Sequence, residues 1–308
     1  MIFASIMSGL GNQLYQYANA RAISLNLNTD LYLDLRWFED KSIFRDENAA
    51  DRMYLLDKFN INATEYRIHN SNSIKIKSNF KFKKANLYNR FLAKTIKNGI
   101  YFFKYNGDIT KYDADFENII DNSYIACASQ SYKNFYKYID TIRTELSLKS
   151  FEGGTVQNQA ILEKLQKDNN SVCLHFRRGD KANNHSVKNI HGCLDIEYYN
   201  NALRILENNV GKDLNLYVFS DEIEWVKNNF STKYNTNYID FNLSEEDSIY
   251  DFELMKNCNY HICANSTFSV FSSILSSTSK ISIAPNFVVK KMNFVLNDIY
   301  PKNFIICS

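Results

Sequence analysis

The sequence predicts an α/β protein made of two halves, each built on a parallel sheet. Three observations carry this. The chain opens as strand, glycine turn, helix and strand within its first 35 residues. Its second half alternates short apolar strand candidates with helical stretches, and those strands lack in–out alternation, as expected of a sheet covered on both faces. The length, 308 residues, corresponds to about two domains of ~150 residues.

Residues 1–6 are the first strand candidate and 8-SGLGN-12 is a glycine turn. From Asn12 to Leu27 an amphipathic helix fits, with Leu14, Tyr17, Ala18, Arg21, Ala22 and Leu25 along one face. Residues 31–35, LYLDL, read as the second strand. Helix candidates at 49–59 and 131–147 and a strand at 123–129 fill a less legible remainder. Residues 71–107 hold nine basic residues and no acidic one. There Leu87, Phe91, Leu92 and Ile96 share a helical face flanked by Lys84, Arg90, Lys94 and Lys97. That pattern is compatible with peripheral contact with an anionic membrane, and equally with a solvated face packed by its apolar stripe. The segment 149–159 reads as the link between an N-terminal α/β domain, 1–150, and a C-terminal Rossmann-like domain, 151–308. In the latter, strands fit at 171–176, 214–219, 259–264 and 280–284, and helices at 196–209, 222–229, 247–257 and 267–277.

Composition narrows the function classes. At 45% hydrophobic and 23% charged, the chain has ample core material. A net charge of +2 gives no case for a nucleic-acid partner. The first 150 residues carry 21 basic against 16 acidic groups and the rest 15 against 18, so an anionic ligand in the second half must be held by local charge. Six cysteines without CxxC spacing read as reduced core thiols. No secretory leader and no apolar run of ~18 residues is evident, so the expected location is cytoplasmic, at most peripheral at the inner face of the cell membrane. There is no HExxH, Walker A, GxSxG or zinc-like Cys/His set, and the nearest metal-like pair, 113-DAD-115, reads as a surface loop. No metal and no cofactor are expected.

Polar residues gather at three strand ends. The first is 175-HFRRGD-180, after a buried-looking strand. In open α/β sheets ligands bind at the carboxyl ends of strands. Arg177 and Arg178 make a poor core and a good anion clamp, since arginine grips phosphates through a fixed fork of donors. Asp180 fits either as a holder of one arginine or as a ligand to a sugar hydroxyl, and His175 as a proton acceptor or phosphate donor. The second is 219-FSDEIEW-225. Here Ser220 suits a helix N-cap and Asp221 a place in the first helical turn or a bond to a ribose hydroxyl or base N–H. The third is 264-ANSTFS-269, where Asn265, Ser266 and Thr267 join a strand to a helix start, a place for an anion or for ordinary capping. Together they point to a phosphate-bearing ligand. In the first half Gly9 and Gly11 bring backbone close to a partner, and Asn12 and Gln13 suit carbohydrate hydroxyls or the cleft between halves.

Five blocks in order, 9-GLGNQLYQYANARA-22, 174-LHFRRGD-180, 191-HGCLDIEYYNNAL-203, 218-VFSDEIEW-225 and 254-LMKNCNYHICANSTFS-269, resemble the bacterial α-1,2-fucosyltransferases of glycosyltransferase family 11. The resemblance implies a GT-B-like fold, two Rossmann-like domains facing across a cleft, with the donor on the C-terminal domain and the acceptor on the N-terminal one. It implies inverting, metal-independent transfer of L-fucose from GDP-β-L-fucose to the 2-hydroxyl of a β-galactoside. The acceptor would be a galactose-terminated oligosaccharide or lipid-linked glycan, such as an O-antigen repeat. Arg177 carries over as the chief diphosphate ligand, with His175, Arg177 and Asp180 as catalytic candidates. Arg178, Asp221, Asn265, Ser266 and Thr267 complete the donor side. The chain departs from the family where "SFSWWGAWL" becomes 267-TFSVFSSIL-275, which puts Val270, Phe271 and Ser272 at the altered positions. Another acceptor or linkage on the same scaffold, or a sugar-nucleotide-binding module without turnover, are the alternatives.

Overall fold

The computed structural model describes residues 1–39, 51–66, 76–77, 100–104, 110–112, 114–126, 128–151, 154–179, 182, 192–287 and 296–308. The segment 71–107 therefore lies almost wholly outside the described residues, as do Asp180 and Asp113. The chain forms two compact units, Met1–Leu146 and Ser147–Ser308.

The first unit contains β1 (Ile2–Ser5), α1 (Leu10–Leu27), β2 (Leu31–Asp34), α2 (Arg36–Glu39), β3 (Thr64–Tyr66), β4 (Ile76–Lys77), β5 (Ile100–Lys104), β6 (Ser123–Ala126) and α3 (Ile139–Glu145). Its sheet order is β3-β2-β1-β6-β5-β4, with every pairing parallel. The helix α1 ends where Asn28 takes a left-handed conformation, φ 48°, and its N–H returns to the Leu25 carbonyl. Burial reaches almost all round this helix from Leu10 to Ser24, so the single apolar face read from sequence was too narrow. Its buried amides explain why: Gln16 accepts from the Met7 N–H at 2.9 Å, and Asn19 donates to the Ser129 carbonyl at 2.8 Å. They replace water for backbone groups that would otherwise be buried unpaired.

Of two expected helices, one is absent from the described chain and one is shorter than read. Within 49–59 the described chain forms only a 3₁₀ turn, Leu56–Lys58. Within 131–147, 3₁₀ turns at Tyr132–Asn134 and Tyr136–Tyr138 precede the short α3. The aromatics Tyr132, Phe135 and Tyr138 recur every three residues, the 3₁₀ repeat, and the fully buried Phe135 anchors the run. At the end of β2, Arg36 donates to Asp34 from Nε (2.9 Å) and Nη2 (2.6 Å), and the Tyr124 hydroxyl donates to Asp34 at 2.6 Å.

The second unit contains α4 (Val156–Lys167), β7 (Ser171–Phe176), α5 (Ile196–Val210), β8 (Asn215–Ser220), α6 (Ile223–Asn229), β9 (Asn235–Tyr238), α7 (Ser248–Lys256), β10 (Tyr260–Ile262), α8 (Thr267–Leu275), β11 (Ile281–Pro285), α9 (Leu296–Ile299) and β12 (Phe304–Cys307). The residues read as a link instead start α4, whose N-cap Thr155 accepts from the Asn158 N–H at 3.3 Å. The sheet order β12-β11-β10-β7-β8-β9 is all parallel and is the doubly wound order, reversing between β7 and β10. Alternate residues of β7 enter two cores. Val172, Leu174 and Phe176 pack with Tyr199, Leu203 and Leu206 of α5, while Cys173 faces Leu165, Leu254 and Met255. Burial on both faces is why β7 reads as an unbroken apolar run. The α/β class with a parallel sheet in each unit agrees with the fold expected of a GT-B-like chain.

Candidate functional site

The three polar clusters follow β7, β8 and β10, adjacent strands of one sheet, at its carboxyl edge. Strand register places their residues. Phe176 is paired with Ser220, so the residues one and two beyond, Arg177 and Arg178, run out beside Asp221 and Glu222. Both arginines take an acidic partner there. Arg177 Nη1 forms an ion pair with Asp221 Oδ2, and the backbone N–H of Arg178 donates to Asp221 Oδ1 at 2.9 Å. Arg178 Nε donates to Glu222 Oε2 at 3.3 Å. Thus, among the described residues, Asp221 and Glu222 both hold these arginines. The Arg177 and Asp221 side chains keep 25% exposure each, so the pair is open to solvent and to a ligand.

Gly179 and Trp225 complete the arrangement. A Cβ on Gly179 would lie 2.5 Å from Asp221 Oδ2 and 3.2 Å from its Cγ, so any side chain there would force the carboxylate to shift. The Arg178 guanidinium carbon lies 3.2 Å from the centroid of the Trp225 ring, on α6. Arg178 Nη1 also lies 3.8 Å from Cys193 Sγ. Tyr199 packs against Phe176 in a tilted arrangement, centroids 3.8 Å apart, and burial pushes its hydroxyl well above the ordinary phenol range. The signal for these contacts was the offset between the RRG and SDEIEW segments, which becomes readable only once the strand register is known.

The segment after β8 differs from the capping scheme read from sequence. The helix α6 starts at Ile223, two residues later than a Ser220 cap would set it, and its N-cap Glu222 makes no side-chain cap. Ser220 Oγ instead accepts the Glu222 N–H at 3.0 Å, a local turn that swings Asp221 toward the arginines.

At the third cluster, Ser266 is the N-cap of α8 but its side chain makes no capping bond. Thr267 and Ser266 are half-buried, whereas Asn265 is buried and donates to the Gly192 carbonyl at 3.3 Å. The altered family positions Val270, Phe271 and Ser272 are all buried, so the change lies in packing. His175 is also buried, its ring 5.9 Å from that of Phe268. Asp180 lies outside the described residues. In the 113–115 segment so does Asp113, and among the described residues no group of three or more His, Cys, Asp or Glu is placed to hold a metal ion.

In the first unit Gly9 is the N-cap of α1 with an ordinary φ of −72°, and the left-handed residue of the turn is Ser8, φ 70°. Gly11 is buried inside α1. Gln13 is consumed by backbone: it donates to the Ser8 and Met53 carbonyls at 2.8 and 2.7 Å and accepts from Leu55 N–H at 3.0 Å. Its role in this unit is to pin the turn. Asn12 is half-buried and donates to Ser8 Oγ at 3.0 Å. No described helix is long and apolar enough to cross a membrane.

Comparison with known proteins places the chain. It is 30% identical over 293 residues to an alpha-1,2-colitosyltransferase of Escherichia coli, covering 92% of this chain and 91% of that protein. It is 30% identical over 313 residues to the O-antigen biosynthesis glycosyltransferase WbnK of Escherichia coli, covering 92% and 93%. Among solved structures, fucosyltransferase NodZ from Bradyrhizobium aligns at a TM-score of 0.49 and 12% identity, over 89% of this chain and 92% of that one. The family model described as glycosyl transferase family 11 matches residues 1–307. The protein belongs to glycosyl transferase family 11.

Proposed function

We propose that the protein transfers L-fucose from GDP-β-L-fucose to the 2-hydroxyl of a β-galactoside, with inversion, and that the second unit holds the donor. The observation that carries this reading is the half-open Arg177–Asp221 pair at the carboxyl edge of a doubly wound sheet, in a family 11 chain. The acceptor oxygen attacks the anomeric carbon, the bond from that carbon to the diphosphate breaks, and the diphosphate oxygen keeps the electron pair. Arg177 meets that developing charge, aided by the N-terminus of α8, and Asp221 fixes the direction of its fork. No metal is required in this scheme, because fixed cations and helix dipoles replace it. The proton of the acceptor hydroxyl passes to a carboxylate, and Asp180 is the candidate, since His175 is packed against Phe268.

The E. coli colitosyltransferase relative supports a second reading of the donor, in which the transferred sugar is colitose. The test is release of GDP from GDP-fucose in EDTA, with and without a panel of β-galactosides, followed by NMR of the product. Acceptor-dependent release with an α-1,2-fucosyl product is expected. Binding of GDP-fucose without acceptor-dependent release would refute fucosyl transfer to these galactosides. Asp180→Asn is expected to lose transfer while keeping GDP affinity; retained transfer would remove Asp180 as the base.

A further inference from the structure

We propose that Trp225 is a positioning residue for the donor site: its ring is the platform that fixes Arg178 and, through it, the turn that carries Arg177. The inference rests on the donor reading given above. The geometry is specific. Arg178 lies flat enough over the indole that its guanidinium carbon is 3.2 Å from the ring centroid. Its Nε reaches Glu222, its Nη1 faces Cys193 and its backbone N–H holds Asp221, which in turn holds Arg177. One side chain on α6 thus touches the arginine that meets Glu222, Cys193 and Asp221.

The chemistry explains why an aromatic ring suits this place. A second carboxylate could immobilise Arg178 as well, but it would cancel more of the positive charge needed for a diphosphate. An aromatic face restrains the guanidinium plane through its quadrupole while leaving the charge and the in-plane N–H groups in use. Immobilising a long side chain before the ligand arrives removes part of the entropy cost of binding. Trp225 itself is half-buried, packed on the core beneath α6, so the platform is anchored.

The chain offers its own reporter, because it has two tryptophans, and the other, Trp37, is buried in the first unit. In a Trp37→Phe background, emission comes from Trp225 alone, and GDP is expected to change it. GDP titration calorimetry and donor kinetics then compare Trp225→Leu, Trp225→Phe, Arg178→Leu and the double variant Trp225→Leu/Arg178→Leu. Trp225→Leu is expected to weaken GDP binding and raise the KM for GDP-fucose about three- to ten-fold, the size of a partly desolvated cation–π contact. The kcat is expected to stay within about two-fold of wild type, since the ring acts on ground and transition state alike. Trp225→Phe is expected to restore most of the affinity, and the double variant to be no weaker than Arg178→Leu, because both changes remove one interaction. A lower melting temperature in Trp225→Leu with unmoved GDP affinity would make Trp225 a core contact only and overturn the inference. Wild-type protein that fails to bind GDP would overturn the donor reading and this inference with it.

Discussion

Each unit holds an arginine–aspartate pair at the carboxyl end of its central strands, and the two pairs are built for opposite ends. In the first unit Arg36 and Asp34 have side-chain exposures of 8% and 4%, and Tyr124 donates to the same carboxylate. In the second unit Arg177 and Asp221 are each 25% exposed, with one glycine beside them where a side chain would collide. The residue types are the same and the strand-end position is the same. Burial makes one pair a closed structural bolt and leaves the other facing solvent. A double arginine or a strand-end aspartate alone therefore says little about function; exposure is what sets these two pairs apart.

The largest effect expected from that contrast is on the closed pair. Arg36→Met leaves the Asp34 charge buried without its cation and is expected to cost about 3–5 kcal/mol of stability. GDP affinity of the folded fraction should stay at the wild-type value. Denaturant unfolding beside GDP titration checks both, and a loss of GDP affinity at unchanged stability would erase the distinction between the pairs.

Smaller, and confined to the open pair, is Gly179→Ala. The added methyl meets Asp221, which must move off Arg177, so kcat/KM is expected to fall about ten-fold, on the order of 1.4 kcal/mol. Melting should shift little, as the atom met is the end of a side chain and Gly179 needs no left-handed backbone. Wild-type kcat/KM in this variant would show that Asp221 does not direct Arg177.

Two titratable groups in the second unit sharpen the comparison further, because they sit on α7 and β10 and are not members of the open pair. Burial pushes His261 down to about 4, with its Nε2 against the Met255 carbonyl. Its contribution to stability is present above pH ~6.5, the unfolded value, and is lost as pH falls toward 4. Burial pushes Asp251 up to about 7, against an Asn242 amide at 2.7 Å. That carboxyl favours the fold below its unfolded value and the advantage is lost as pH rises through 7. The two slopes oppose each other between about pH 4 and 6.5. Asp251→Asn is expected to uncover the histidine alone, with stability rising by up to about 1.4 kcal/mol per pH unit across that window. Urea titrations at several pH values read this, and a flat profile in the variant would show that His261 is protonated at no cost.

The same contrast explains what could be read from the amino acids. The strand at 171–176 was legible to the residue because burial on both faces makes an unbroken apolar run. The strand β9, Asn235–Tyr238, was not, since an edge strand of sequence NTNY carries no apolar signal. The helix α4 was hidden inside a glycine-containing segment that looked like a link, although Thr155 and Asn158 mark its start. At the site, the residue types at the three strand ends were visible. Which acid meets which arginine was not, because the offset of 44 residues between Arg177 and Asp221 is set by strand register, a property of the folded sheet. Trp225 was invisible for the same reason. The backbone partners of the buried amide Gln13 were not legible, because a sequence shows a polar group without showing the carbonyls and N–H it meets.

The most direct test of the open pair is GDP titration calorimetry on wild type and Arg177→Gln, with thermal melting alongside. Losing charge-assisted bonds to a diphosphate is expected to weaken GDP binding about 10- to 100-fold, while the melting temperature stays near wild type. Equal affinity in the two proteins would contradict the account, since Arg177 would then hold Asp221 and nothing else.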